Sequence, residues 1–137
     1  MRLYLSLLLL FPVSALPAQQ LECPSTFKVE STASAPPEWT SFAGSSPHVV
    51  DRVGFYSGSP LEGASLVPES QPDKAREARD GWRFAVAKNE PIWLACFYTG
   101  TDGFLAKQID RGLTTCNVSY KVTKSGSRIG IQSIVCD

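Results

Sequence analysis

The sequence predicts a small all-β domain, an antiparallel β-barrel or β-sandwich held by two disulfides, with at most one short helix. Segments that alternate apolar and polar residues recur along the chain, and turns rich in Gly, Pro, Asp and Ser separate them. No long amphipathic helix pattern interrupts this order. Four cysteines follow a leader of the export type, and an even number of cysteines in a small exported domain usually forms disulfides.

The first 18 residues are interpreted as a removable signal peptide. Arg2 gives a positive start and is followed by a short apolar run that ends at Val13. That run is shorter than the ~20 residues needed to cross a bilayer. Cleavage after Ala18 is preferred to cleavage after Ala15. We therefore expect residues 19–137 to form one β-rich domain, periplasmic or secreted, without a membrane anchor.

The first part of this domain combines an irregular segment and a strand. The stretch from Ser31 to Pro47 is rich in Ser, Ala and Pro, which predicts a surface segment held in place by Trp39 and Phe42. His48 to Ser57 carries bulky residues in alternation and predicts the first long strand. Gly, Ser and Pro follow it and end the strand.

A charged connection follows, from Leu61 to Gly81. Asp73 to Asp80 is the only good helical sequence of the domain, but it has no apolar stripe beyond two alanines. It predicts a short solvated turn of helix or a loop. A docking role for its charges is the alternative interpretation.

The rest of the chain predicts five more strands. They are expected at Trp82 to Ala87, Ile92 to Tyr98, Phe104 to Ile109, Cys116 to Thr123 and Ile129 to Cys136. The second of these is apolar on both faces, which is typical of a central strand. In the last strand, Ile129, Ile131 and Val135 are predicted to share one side. Turn sequences stand between these strands.

The pairing of four cysteines is not determined by their spacing, because three connectivities are possible. We favour Cys96–Cys116, which would join two predicted strands, together with Cys23–Cys136, which would tie the chain ends where fraying is expected. In the chain-entropy model these loops would contribute about 3 and about 5 kcal/mol, respectively.

Little in the composition indicates catalysis. The sequence holds 13 basic and 13 acidic residues, so no strong field directs it to nucleic acid. His48 is the single histidine and lies in no cluster with metal-ligand spacing. The carboxylates between Glu62 and Asp80 stand beside basic residues, and solvated ion pairs explain them better than a glycosidase pair does. We expect a monomeric binding protein without catalytic activity, cofactor or metal.

Several short motifs follow one another in a fixed order along the domain. They are Cys23-Pro24, Val53 to Pro60 with Leu66 and Pro68, Trp82, Trp93 to Tyr98, Cys116 to Val118 and Cys136. This order resembles a family of small exported bacterial proteins that has no established activity. The resemblance covers almost the whole mature chain and implies a periplasmic β-rich domain from a Gram-negative bacterium.

Two partial motifs suggest a partner. Tyr120 and Lys124 match a motif of Tyr, three residues and Lys-Gly, although Ser125 precedes the glycine here. Ser57 begins a motif of Ser-Gly, two residues and Tyr, whose last position is occupied by Leu61. Both are similar to loops of bacterial inhibitors of C-type lysozyme, which are small disulfide-bonded β-barrels. The resemblance implies that Ser57, Tyr120 and Lys124 contact a protein such as host lysozyme, where the ammonium would pair with catalytic carboxylates.

The alternative hypothesis is a structural or accessory protein of the cell envelope that makes no contact with lysozyme. Its expected contact surface is aromatic, around Trp39 and Phe42 or around Tyr56. A hydrolase would instead need two carboxylates that face each other in a cleft.

Overall fold

The computed structural model describes residues 17–30, 35–38, 40–42, 46–62, 64–70, 78–85 and 90–137. Within these ranges the chain forms ten β-strands and no helix, which confirms the all-β prediction. The strands are β1 Gln19–Leu21, β2 Thr26–Phe27, β3 His48–Ser57, β4 Ala64–Leu66, β5 Glu69–Ser70, β6 Ala78–Arg83, β7 Ile92–Tyr98, β8 Phe104–Gln108, β9 Thr115–Val122 and β10 Arg128–Cys136.

Two antiparallel sheets face each other. The first has the strand order β1-β10-β9-β6-β5, and the second has the order β2-β3-β7-β8, with β4 added to β3. Their inner faces supply one core, with Phe55 and Leu94 from the second sheet and Val118 and Ile134 from the first. In the described part of the chain β8 pairs only with β7, so the molecule is an open sandwich and not a closed barrel.

Alternation explains why most strands form where they were predicted. In β9, Cys116, Val118 and Tyr120 are buried, while Asn117 and Lys121 are exposed. The bounds of β3 and β7 match the predicted ones. Aromatic rings fill the core between the sheets, with the Phe55 centroid 5.0 Å from Trp82 and 5.4 Å from Phe84.

The prediction for β6 was wrong at both ends. Ala78 to Asp80, expected in a helical turn or loop, begin the strand, and the strand ends at Arg83. Pairing with β9 overrides the weak helical preference, because Ala78 lies opposite Tyr120 and is buried there. The other residues of the predicted helix, 73–77, lie outside the described residues, as do Val86 and Ala87.

The predicted face of β10 was also wrong. Ile129 and Val135 point to solvent, whereas Ile134 and Cys136 are buried. The pairing with β9 shifts register twice, between Arg128 and Gly130 and between Ile131 and Ser133. Each irregularity adds a residue and moves the following side chains to the other face, so simple alternation fails here.

The favoured disulfide pairing was wrong, although two disulfides are present. The structure contains Cys23–Cys96 and Cys116–Cys136. Cys116 and Cys136 are direct cross-strand partners in β9 and β10, with a Cα–Cα distance of 4.1 Å. Cys23 follows β1 where the chain passes to the second sheet, and it meets Cys96 on β7. Hydrogen bonding of β1 to β10 joins the chain ends without a disulfide.

Phe42 does not hold the segment before β3 in the predicted way. Phe42 is 90% exposed, so it cannot anchor the segment on the core. Trp39, the other expected anchor, lies outside the described residues.

Candidate partner-binding surface

The outer face of the second sheet is aromatic. Residues that lie opposite each other in antiparallel strands share a face, and this register places Tyr56 beside Trp93 and Phe97 beside Phe104. We call these four side chains the aromatic face. Tyr56, Trp93 and Phe97 lie on the opposite side of their strands from the core residues Phe55, Leu94 and Cys96, so they point away from the core. Phe104 shares their side through its pairing with Phe97.

The aromatic face is organised around a glycine. A Cβ atom on Gly54 would lie 3.2 Å from the Phe97 ring, so the ring occupies the space that the missing side chain leaves. The Phe104 ring lies 5.4 Å from Phe97, and the Arg52 guanidinium lies 4.9 Å from the Phe97 ring centroid. Arg52 is thereby placed over an aromatic platform.

A groove runs beside this face. Its cavity is about 430 Å³ and is mainly apolar, and we call it the Leu61 groove. Its lining includes Pro60, Leu61, Trp93, Asp102, Phe104 and Ala106. Leu61 is 88% exposed, so its side chain is available for contact.

Two buried polar atoms have no hydrogen-bond partner among the described residues. One is Nε1 of Trp93, a residue that contributes to the lining of the Leu61 groove. The other is Oδ1 of Asp51. A buried N–H without an acceptor destabilises the free protein. Arg52 likewise has no ion-paired carboxylate in the described ranges.

Ser57 lies at the end of β3, on the second sheet. Its hydroxyl donates a hydrogen bond to a carboxylate oxygen of Glu90 at 2.5 Å. Both residues line a cavity of about 550 Å³ that also includes Glu62. The acidic lining of this cavity favours a cationic group.

Tyr120 and Lys124 belong to the hairpin formed by β9 and β10. Tyr120 is only 4% exposed, and the Arg128 guanidinium lies 4.4 Å from its ring centroid. Arg128 also donates two hydrogen bonds to Asp80, at 2.6 and 3.1 Å. Lys124 is exposed in the turn of the hairpin. Tyr120 and Lys124 thus share one hairpin, whereas Ser57 lies on the other sheet.

The described ranges contain neither a metal-ligand cluster nor a membrane helix. Among these residues, no group of three or more His, Cys, Asp or Glu side chains could hold a metal ion. The His48 ring is hydrogen-bonded through Nδ1 to the carbonyl oxygen of Thr99 at 2.7 Å. None of the described residues forms a helix of the length and apolarity needed to cross a membrane.

Sequence reasoning identified Tyr56 as part of an aromatic surface but missed its partners. Trp93 and Phe97 were interpreted only as residues of a central strand. The available signal was that β7 is apolar on both faces, although the predicted fold has just two layers. One of its faces therefore had to remain outside the core.

The molecule is a small, disulfide-linked β-sandwich with aromatic side chains on the outer face of its second sheet. The family model for the Type VI secretion system Tli immunity protein matches residues 45–137. The chain belongs to this family, whose members are non-catalytic proteins of the periplasmic immunity type. The matched residues contain β3 to β10 and hence the whole aromatic face.

A curated relative is similar over nearly its full length. It is the uncharacterized 16.3 kDa protein in the trpG 5' region of Azospirillum brasilense, which is 25% identical over 135 residues. The alignment covers 92% of this chain and 89% of the relative. No solved structure matches the chain significantly.

Proposed function

We propose that this protein is a periplasmic immunity protein that binds a toxin effector of a type VI secretion system and protects the cell that makes it. The observation that carries the proposal is the family match over residues 45–137. The predicted signal peptide would deliver the protein to the compartment where an incoming toxin arrives. Disulfides are stable there, which agrees with the four paired cysteines.

A competition experiment tests this proposal even while the toxin is unidentified. The attacker is the parental strain with an active type VI secretion system. The recipient is the same strain without the gene for this chain, and it carries either an empty plasmid or the wild-type gene. We expect the empty-plasmid recipient to be killed and the complemented recipient to survive.

Two controls make the result specific. An attacker with an inactivated secretion system should kill neither recipient. A gene that lacks the first 18 residues should not protect, because its product stays in the cytoplasm. Equal survival of the deletion and complemented recipients against the active attacker would refute the proposal.

Inhibition of C-type lysozyme is a second proposal, with Lys124 as the blocking residue. It is supported by the exposure of Lys124 in a hairpin turn. Two positions weaken it: Tyr120 is buried beneath Arg128, and the Ser57 hydroxyl is hydrogen-bonded to Glu90. A toxin partner therefore accounts for more of the observations.

A cell-wall lysis assay separates the two proposals. C-type lysozyme acts on a suspension of bacterial cell walls with and without micromolar purified protein. Slower lysis that is restored by Lys124→Ala would support the lysozyme proposal. Unchanged lysis would eliminate it and would leave the immunity proposal intact.

A further inference from the structure

The aromatic face and the Leu61 groove offer two features to a partner on one side of the molecule. The groove is an apolar cavity, and the side chain of Leu61 is exposed at its wall. Arg52 offers a stacked positive charge that no described carboxylate neutralises. Each feature suits a different chemical group.

We infer that this face is the toxin-binding surface, and that it receives a segment of the effector with an apolar side chain and a carboxylate. The inference rests on the immunity function proposed above. The apolar side chain would fill the Leu61 groove, and the carboxylate would pair with Arg52. Aromatic residues and Arg are the types that dominate binding energy at protein interfaces.

The geometry of Arg52 favours a carboxylate partner. A guanidinium stacked on a ring keeps its edge free for two parallel hydrogen bonds, and the stacking reduces the conformational freedom lost on binding. Gly54 secures this arrangement, since the Phe97 ring lies only 3.2 Å from the position that a Cβ on Gly54 would take. The Arg52 guanidinium is therefore already positioned before a partner binds.

An extended effector segment fits the location. β8 pairs with β7 on one side and with no strand of the described ranges on the other. Its residues Phe104 and Ala106 line the Leu61 groove. A segment placed along β8 would extend the sheet and direct alternate side chains toward the groove.

The competition assay tests the surface with matched variants. Leu61→Asp places a charge at the groove, whereas Val67→Asp places one at an equally exposed residue outside it, since Leu61 is 88% and Val67 86% exposed. We expect Leu61→Asp to lower recipient survival at least about tenfold and Val67→Asp to protect like wild type. Periplasmic immunoblots check that both variants accumulate equally.

A further variant examines the Arg52 contact. Arg52→Glu reverses the charge expected to face a carboxylate, and survival should fall as it does for Leu61→Asp, while the urea midpoint of the purified protein stays near that of wild type. A merely structural role for Arg52 would lower that midpoint instead.

Other outcomes overturn the inference. Full protection by Leu61→Asp would place the toxin on another surface. The same conclusion would follow if Ile129→Asp, on the β9–β10 hairpin, were the only variant to lose protection. In both cases the immunity function would stand. A concentration-dependent dimer that Leu61→Asp abolishes would assign the face to a second copy of the chain. If the wild-type gene itself gives no protection, the proposed function fails and this inference fails with it.

Discussion

Tyr120 illustrates how one side chain can be structural although its sequence context suggests binding. Burial, together with the charge and hydrogen bond of Asp80, raises the pKa of its phenol above the usual 10.0, and the Arg128 charge opposes this shift. The ring is covered by Arg128 on the surface side. Tyr120 therefore links β6, β9 and β10 in the first sheet.

This environment predicts a loss of stability in alkaline solution. The folded-state pKa of Tyr120 is raised, so protonated Tyr120 stabilises the fold. This stabilisation is fully present below the unfolded-state pKa of about 10, and it is lost as the pH rises from there through the folded-state pKa. We expect the urea midpoint of the wild type to fall between about pH 8 and about pH 11. Tyr120→Phe, which cannot ionise, should show a smaller fall.

Tyr98 provides the comparison for that experiment. Burial raises its pKa as well, and its hydroxyl donates to the carbonyl oxygen of Pro24 at 2.9 Å. Tyr98→Phe should reduce the alkaline loss less than Tyr120→Phe does, because the negative charge of Asp80 adds to burial at Tyr120. Equal pH profiles for wild type and Tyr120→Phe would contradict this account.

At the scale of elements, the turn between β9 and β10 depends on one glycine. Gly126 has a φ of 88°, in the left-handed region, and its N–H donates to the carbonyl oxygen of Thr123 at 3.0 Å. Gly126→Ala should therefore cost about 1 kcal/mol, measured by urea unfolding. No atom lies within 4 Å of the added Cβ, so the cost arises from backbone conformation alone.

Gly112→Ala is the matched control for the turn. A Cβ at Gly112 also meets no atom within 4 Å, and its φ is outside the left-handed region. We expect this variant to unfold like wild type. A similar cost for both alanine variants would show that the turn conformation is not the cause.

The strands also show which features a sequence can predict. The bounds of β3 followed from local alternation and those of β7 from a continuous apolar run, together with the Gly and Pro residues near their ends. The start of β6 did not, because Ala78 is in a strand only through its partner Tyr120. The inward face of β10 was missed since its two register shifts leave no local signal in the sequence.

The candidate surface was likewise predicted only in part from the sequence. Tyr56 was predicted as a surface residue because alternation along the strand placed it on the face opposite to Val53 and Phe55. Its assembly with Trp93, Phe97 and Phe104 depends on the strand order of the second sheet, which alternation does not encode. The Leu61 groove depends on how a loop folds back on that sheet, and the motifs that include Pro60 and Leu61 gave no indication of a cavity.

At the scale of the whole molecule, the two disulfides have different roles. Cys116–Cys136 joins neighbouring strands of one sheet across 20 residues. Cys23–Cys96 connects the segment after β1 to the second sheet across 73 residues. The longer loop restricts the unfolded chain more, so the chain-entropy model assigns it about 4 kcal/mol against about 3 kcal/mol for the shorter one.

Paired substitutions test this ranking. Replacing Cys23 and Cys96 with Ser should lower the unfolding free energy more than replacing Cys116 and Cys136 does. Peptide mapping of the non-reduced wild type by mass spectrometry should first identify both linkages. A Cys96–Cys116 or Cys23–Cys136 peptide would contradict the structure, and a reversed order of stabilities would contradict the entropic explanation.

The position of β10 affects how the protein can be made. Residues 128–136 lie between β1 and β9, so β1 has no strand partner until this part of the chain has been synthesised. The nascent chain consequently cannot complete the first sheet while it is still emerging from the ribosome. A polypeptide that is still unfolded can be threaded through a narrow translocation channel, so this strand order agrees with the export that the predicted signal peptide implies.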